Sequence, residues 1–232
     1  YSRLPSDIIN GVFKSDGTVM LKNISSLSSG VKTGCNKFFI LSRDDIAEWN
    51  LDFEYLEEAI DDPKDSKGDC ETFILNTHEL IGNCESEDDA KNRLLNMGYN
   101  QLVDYINYAE SNDWNSGRTC SRRDIWFDLG DLSPSRTVLP KGMHEDVGPI
   151  DNKNYRVPKD RFYYVESEYS DDLMIALIDS IVSKISLEGI GRREGGGILE
   201  VLKTDWKQTR IPNPELIDNK QKVVELYEND EE

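Results

Sequence analysis

Compact apolar runs recur along this chain between turn-forming residues, and each run predicts a short buried strand. The runs are rich in Val, Ile, Leu, Phe and Tyr, and Gly, Pro, Asp or Asn residues separate them. They predict strands over residues 37–41, 72–75, 137–139, 161–165 and 198–202.

Longer segments repeat their apolar residues every three or four positions, which is the spacing of a helix with one buried face. This spacing predicts helices over residues 42–60, 86–109 and 171–187, and a shorter helix over 215–227. Acidic residues open the first three segments, where they complement the helix dipole. Gly98 is expected to break the second helix, and a pair of glycines to end the third.

The mixture of both spacings indicates an α+β protein, with twisted mixed or antiparallel sheet segments and helices packed on them. The length of 232 residues suits one large domain or two small ones. Because the chain begins at Tyr1, we expect residues 1–23 to lead in from a missing upstream domain. We expect one main domain over 24–214, and a C-terminal helix and acidic tail over 215–232.

Charge is distributed unevenly along the chain. There are 45 acidic and 27 basic residues, for a net charge of −18, which taken alone argues against binding to phosphates. Residues 41–115 hold 20 acidic and 5 basic residues, whereas residues 118–161 hold 7 acidic and 9 basic ones. Because the local field at a binding face selects the partner, the second segment is compatible with a polyanion.

Several other functional classes lack their sequence signals. The four cysteines form no CxxC pair and there are only two histidines, so no zinc spacing is present and we expect reduced thiols. No run approaches the ~18 apolar residues of a membrane span, and the first 20 residues show no signal-peptide pattern. We therefore expect a soluble cytoplasmic protein with no membrane partner.

The stretch SSGVKTGCNKFFIL, residues 28–41, invites a phosphate-loop interpretation that its spacing does not support. Gly30 and Gly34 are only four residues apart, no Gly-Lys-Ser/Thr follows, and the expected next element is a strand. The run Gly195–Gly197 is likewise no dinucleotide fingerprint. No nucleophile elbow or HExxH motif occurs, and a small hydrolase would need His78 or His144 beside a serine or cysteine.

Cations in polar and glycine-rich loops remain as candidate chemistry, with tryptophans and tyrosines between them. Arginine beside aromatic and polar groups suits phosphate clamping and the reading of base edges. The simpler alternative is that these are solvated loop charges, some of them paired with the abundant acids. Composition alone favours that alternative.

Four sequence blocks follow one another in an order that adds information. They are GVKTGCNKFFIL at 30–41, IWFDL through LPKG at 125–142, VP through RFY at 157–163, and a helix, glycine turn and GGGIL strand within 173–202; DW through IPNP at 205–214 follows. In this order they resemble the target-recognition domain of N6-adenine DNA methyltransferases of type IIG and TaqI-like restriction-modification systems. Each block alone is weak, and the resemblance covers residues 24–214.

This resemblance implies that the chain recognises double-stranded DNA and holds no catalytic residue, cofactor or metal. The family's Asn-Pro-Pro-Tyr-type motif and its glycine-rich S-adenosylmethionine motif are absent here, so both would belong to the parent enzyme's catalytic domain. The parent would be an adenine-specific methyltransferase, with or without a nuclease. The expected DNA-binding residues are Lys32, Thr33, Lys37, Arg118, Arg122, Arg123, Arg136, Lys141, His144, Arg192 and Arg193. An acidic protein-interaction module that does not bind DNA is the alternative.

Overall fold

The computed structural model describes residues 5–132, 134–144 and 147–230, and the chain divides into two compact units. Unit 1 comprises Tyr1–Gly30, Ser135–Tyr155 and Asp160–Glu232. Unit 2 comprises Val31–Pro134 and Arg156–Lys159. The chain therefore leaves unit 1 after residue 30, builds most of unit 2, and returns to it briefly at 156–159.

Helices and strands both occur in each unit, as the α+β prediction requires, and that prediction is confirmed. The helices of the described residues are α1 (Ser6–Lys14), α2 (Asn36–Phe39), α3 (Arg43–Trp49), α4 (His78–Ile81), α5 (Glu87–Met97), α6 (Asn100–Ser111), α7 (Asp171–Ile178), α8 (Ile181–Ile190), α9 (Lys203–Gln208) and α10 (Lys220–Asp230). The strands are β1 (Thr18–Met20), β2 (Ser25–Ser29), β3 (Ile40–Leu41), β4 (Leu56–Ile60), β5 (Phe73–Leu75), β6 (Thr137–Pro140), β7 (Gly142–Met143), β8 (Ile150–Asp151), β9 (Val157–Pro158), β10 (Phe162–Ser167), β11 (Arg192–Arg193), β12 (Leu199–Glu200) and β13 (Arg210–Pro212).

Unit 1 contains three antiparallel sheets. The largest has the strand order β2-β10-β6-β8, a second has the order β11-β12-β7, and β1 pairs with β13. Leucine, isoleucine and valine side chains from these sheets and from α7 and α8 bury one core around Trp206, whose indole N–H donates to the Pro140 carbonyl at 3.0 Å. Burial of a large aromatic ring with a satisfied polar atom stabilises such a core.

Unit 2 contains one mixed sheet with the order β3-β5-β4-β9, in which only the β4–β9 pair is parallel. Aromatic rings fill its core beside α3 and α6. Phe38 stacks on Tyr105 with ring centroids 5.0 Å apart, and its centroid lies 4.5 Å from that of Trp126. Offset and edge contacts of this kind add stabilisation beyond the buried area.

The helix predicted over 86–109 is confirmed with its break, because Gly98 adopts φ +94° between α5 and α6. The helix predicted over 42–60 is wrong beyond Trp49. Asn50 turns into the left-handed region and ends α3, and residues 56–60 then form strand β4, which pairs with β5 through residues 56–58 and with β9 through residues 59–60. Tertiary pairing here overrides a helical spacing of apolar residues.

Two further predictions need correction. The helix over 171–187 is two helices, since Ser180 caps α8 through a hydrogen bond from the Ser183 amide. The strand over 37–41 is mostly the short helix α2, and only its last two residues are strand. Before this helix, the Gly30 amide donates to the Phe162 carbonyl at 3.0 Å and extends the β2–β10 ladder.

The segment predicted as a lead-in carries structure of its own. Residues 6–14 form α1, and β1 pairs with β13 in a register that sets Val19 opposite Ile211. Leu21 is fully buried in the unit 1 core. The predicted boundaries after residues 23 and 214 stay predictions. Within the described ranges, no helix is long and apolar enough to cross a membrane.

Candidate nucleic-acid interface

In unit 2 the loop around Gly34 packs directly on residues 117–120. Gly34 has φ +81°, which glycine adopts without strain. A Cβ atom at this position would lie 2.7 Å from Thr119 Cβ and 3.1 Å from Cys120 Sγ. Only glycine therefore allows the two loops, 31–37 and 114–123, to approach this closely.

Arg123 ties the same two loops together. Its guanidinium donates to the carbonyls of Lys32 at 2.7 Å and Thr33 at 2.8 Å, and to that of Trp126 at 3.3 Å. Its central carbon also lies 5.4 Å from the Phe39 ring centroid, where a cation interacts favourably with the ring face. Our prediction of Arg123 as a DNA contact is corrected: both terminal nitrogens of its guanidinium already donate to backbone carbonyls, and it positions the loop.

Thr33 is also corrected. It is 3% exposed, and its hydroxyl donates to the Asn36 side-chain oxygen at 2.6 Å. A buried hydroxyl that already donates cannot meet a phosphate without opening the loop, so Thr33 stabilises the loop and does not contact DNA directly.

Four cations remain exposed on these two loops: Lys32, Lys37, Arg118 and Arg122, which we call the loop cluster. Among the described residues, no carboxylate lies within ion-pair distance of any of the four side chains. The Lys37 ammonium lies 4.3 Å from the centroid of the half-buried Trp114 ring. The structure thus brings together sequence-predicted residues that are about 80 positions apart in the chain.

The loop cluster is basic even though its unit is acidic. Unit 2 has 12 basic and 23 acidic residues, yet loops 31–37 and 114–123 contain five of the basic residues and no acid. Because exposed charges are screened beyond about 8–10 Å at physiological salt, the local excess governs a ligand at this surface. These two segments therefore carry a local excess of positive charge, with the Trp114 ring beside Lys37.

In unit 1 the β11–β12 hairpin, residues 192–200, presents the second group of predicted cations; we call it the glycine hairpin. Arg192 and Arg193 form β11, and the Glu194 amide donates to the Ile198 carbonyl at 2.9 Å to close the turn. A Cβ atom on Gly195, Gly196 or Gly197 would meet nothing within 4 Å. The tip therefore projects free of the rest of the described chain.

The base of the glycine hairpin is anchored, in contrast to its tip. Leu199 is buried in the unit 1 core, and a Cβ on Gly191 would lie 2.7 Å from a Leu199 methyl carbon. β12 also pairs with β7, which sets Leu199 opposite Met143. Arg193 is tied back to Glu188 by an ion pair, whereas the described chain offers the Arg192 side chain no hydrogen bond or ion pair.

Lys141 and His144 flank β7, beside the glycine hairpin. The Lys141 ammonium donates to the Asp160 carbonyl and lies 5.1 Å from the Tyr163 ring centroid, so it is held and half-buried. His144 is exposed. Of these two predicted contacts, His144 is the more accessible to a ligand.

The prediction of Arg136 as a DNA contact is corrected, because Arg136 is buried in unit 1 and pairs there with several carboxylates. Only 8% of the residue is exposed, and its guanidinium forms ion pairs with Asp151 at 2.8 Å, with Glu228 at 2.5 Å, and with Asp172. Arg136 and Lys153 together lower the pKa of the Glu228 carboxyl below its usual value through their hydrogen bonds to it. An arginine that compensates a buried carboxylate cannot leave it without a large cost.

The cations of 156–159 are internal to unit 2 as well. Arg156 is 3% exposed; it pairs with Glu58 at 2.7 Å and donates to the Gly68 carbonyl at 2.7 Å. Lys159, 5% exposed, pairs with Asp61 at 2.8 Å. Burial, which no sequence pattern revealed, separates these structural cations from the exposed ones.

The histidines give a hydrolase no support. The His78 ring nitrogen Nδ1 lies 3.1 Å from an Asp128 carboxylate oxygen, and Asp128 also accepts from the Gly130 amide at 2.7 Å. In the described part of the chain, neither His78 nor His144 hydrogen-bonds a serine or cysteine through its ring. The nucleophile–base pair that hydrolysis requires is therefore missing from these ranges.

Two solved structures resemble the fold of most of this chain. The type IIG restriction endonuclease BpuSI matches 96% of this chain over 28% of its own length, with a TM-score of 0.60 and 14% identity. The type IIL restriction-modification enzyme MmeI, solved in complex with DNA, matches 77% of this chain over 24% of its own, with a TM-score of 0.50 and 12% identity. At these identities the likeness shows the fold alone. This chain spans about a quarter of either enzyme.

Sequence comparison identifies the family. No curated protein matches this chain. The family model described as "Type II methyltransferase M.Eco57I, C-terminal domain" matches residues 5–231, nearly the whole chain. The target-recognition resemblance drawn from the four sequence blocks is thereby confirmed at the level of the family, and this chain belongs to the family of C-terminal domains of type II methyltransferases related to M.Eco57I.

Proposed function

We propose that this chain recognises a DNA sequence as the C-terminal specificity domain of a site-specific N6-adenine DNA methyltransferase of a restriction-modification system. The observation that carries the proposal is the loop cluster. In a chain of net charge −18, two distant segments that contain five cations and no acid, 31–37 and 114–123, are packed against each other. Such a surface fits a phosphate backbone, and Trp114 offers a flat apolar face beside it.

The loop cluster and the glycine hairpin contribute different interactions with DNA in this proposal. The loop cluster supplies non-directional attraction and holds a phosphate backbone, since its lysines and arginines carry no acidic partners in the described residues. The glycine hairpin and His144, which directly follows β7, supply further hydrogen-bond donors in unit 1. Both groups act on double-stranded DNA, in the cytoplasm where that DNA lies.

Catalysis belongs to the parent enzyme in this proposal. A separate catalytic domain binds S-adenosylmethionine, extrudes the target adenine and methylates it, while this chain fixes where on the duplex the event occurs. The proposed partners of this chain are thus double-stranded DNA and the catalytic domain of the parent enzyme.

A salt titration of duplex binding by the 232-residue chain tests the proposal. The logarithm of the affinity should fall linearly with the logarithm of salt concentration, and replacing Lys32 by Ala should reduce that slope by about 1. Lys64→Ala, an exposed lysine elsewhere on unit 2, is the matched control and should leave the slope unchanged. Absence of duplex binding at low salt contradicts the proposal.

The acidic protein-interaction module is the second candidate, and the net charge of unit 2 favours it. Its 23 acidic residues against 12 basic ones suit a basic protein partner. The same titration separates the two functions, because an interaction module leaves the duplex free at every salt concentration.

A further inference from the structure

The glycine hairpin has two chemically distinct sides, which its register separates. Arg193, Leu199 and Met143 lie opposite one another across β11, β12 and β7. Leu199 and Met143 are buried, so this row faces the core. The neighbouring row contains Arg192 and Glu200, and successive residues of a strand point to opposite sides, so that row faces away from the core.

Glu194 belongs to the same outward side as Arg192. The two are separated by one residue, and the Glu194 amide continues the ladder by its hydrogen bond to the Ile198 carbonyl. Arg193, between them, is directed back toward Glu188 on α8. The outward side therefore presents one arginine and one carboxylate at the spacing of alternate strand residues, beside a tip of three glycines.

From this geometry we infer that the glycine hairpin reads base edges in the major groove, with Arg192 and Glu194 as specificity-determining residues. A two-stranded ribbon fits the major groove. Arginine donates two hydrogen bonds to the O6 and N7 acceptors of guanine, and a carboxylate accepts from the amino group of cytosine. Three glycines without side chains let the backbone of the tip approach the bases.

The carboxylate distinguishes this role from phosphate binding. Glu194 and Glu200 lie on the outward side and would repel a phosphate, whereas loops 31–37 and 114–123 of the loop cluster carry no acid. A surface that mixes one fork-shaped donor with an acceptor is suited to a pattern of donors and acceptors, such as a base-pair edge. The inference rests on the proposed function and deepens it from DNA binding to the residues that select the sequence.

Selection from a randomised duplex pool by the 232-residue chain tests the inference. The wild-type chain should enrich a site that contains guanine and cytosine positions. Arg192→Lys keeps the charge but loses the bidentate fork, so it should lower the preference for guanine at one position on the order of 10-fold or more. Its affinity for an unrelated duplex should stay within about twofold, because phosphate attraction depends on the retained charge.

Two further variants complete the design. Glu194→Gln should relax the preference at a cytosine position, and Arg118→Ala, from the loop cluster, should weaken all duplexes equally without changing the enriched site. An unchanged enriched site for both Arg192→Lys and Arg192→Ala overturns the inference, while enrichment of a site by the wild-type chain still supports the proposed function. A wild-type chain that binds no duplex overturns the proposed function itself. All the substituted residues are exposed, so the variants should keep the wild-type fold. Thermal unfolding of each variant verifies this.

Discussion

The loop cluster and the glycine hairpin hold their cations in opposite ways. In the loop cluster, Gly34 brings two loops into contact, and Arg123 fixes their carbonyls above a core of stacked aromatic rings. In the glycine hairpin, the base is anchored by Leu199 but nothing packs against the three tip glycines within the described chain. Under the proposed function, a packed surface suits contacts that hold a duplex in place, whereas a free tip suits contacts that adapt to a groove.

The arginine that anchors each region gives the largest expected difference in stability. Arg123→Ala removes three hydrogen bonds and leaves the Thr33 carbonyl without its charged donor, so the free energy of unfolding should fall by roughly 3 kcal/mol. Arg193→Ala removes the partly exposed ion pair with Glu188 and should cost about 1 kcal/mol. Urea unfolding of both variants measures the difference, and equal costs would contradict the contrast between the two regions.

Two glycines with nearly the same φ angle provide a matched pair. Gly34 has φ +81° and Gly196 has φ +83°, but only Gly34 is enclosed by neighbouring atoms. Gly196→Ala should therefore cost about 1 kcal/mol from the backbone alone, and Gly34→Ala roughly 2–3 kcal/mol, because Thr119 must also move. Thermal unfolding checks the order of the two costs, and the reverse order would show that the loops do not need this close approach.

Alkaline pH should weaken unit 2 through Tyr55. Burial raises the pKa of its phenol to about 12, so the folded state keeps the proton after the unfolded chain has begun to lose it. The stabilisation is complete below pH ~10, the unfolded pKa, and is lost as the pH rises through the folded value, for a total on the order of 2 kcal/mol. Hydrogen exchange followed by mass spectrometry from pH 9 to 12 should show faster opening of 52–60. Tyr55→Phe should reduce that pH dependence, and the buried Tyr105 phenol, whose pKa burial also raises, accounts for the remainder.

Acid pH gives the smallest expected effect, and it lies in unit 1. Arg136 and Lys153 lower the pKa of Glu228, so its contribution is present above the unfolded pKa and is lost as the pH falls through the lowered one. The carboxylate side chain is 39% exposed, which limits the effect to below about 1 kcal/mol. Hydrogen exchange of α10 should rise in acid, and Glu228→Gln should show the faster exchange already at neutral pH.

Sequence patterns predicted helices and strands correctly where neighbouring residues determine them, and less well where pairing with a distant segment determines them. The break at Gly98 and the strand at 137–140 follow from a left-handed glycine and a compact apolar run. The helix prediction over 42–60 failed because residues 56–58 pair with β5, which lies more than ten residues further along the chain. A helical spacing of apolar residues cannot report such a partner, since it records only neighbours in sequence.

The candidate site shows the same limit. Eleven residues were predicted from loop position and residue type, and exposure separates them: Arg136 and Thr33 are buried, and the Arg123 donors are occupied. Glu194 was not predicted, although the sequence Arg-Arg-Glu-Gly-Gly-Gly contains a signal for it. Alternate residues before a glycine turn share one side of a hairpin, and that spacing joins Glu194 to Arg192.

The amino-acid sequence by itself determined the α+β class, the family-like order of motifs and the set of cations from which the interface is drawn. The tertiary structure alone decided which cations lie on one surface and which are buried in ion pairs. Lys32 and Arg118 share a surface because Gly34 lets their loops touch, and Arg136 is removed from any surface because three carboxylates surround it. The physical reason is that charge and residue type are local properties of the sequence, whereas burial and pairing depend on contacts between distant segments.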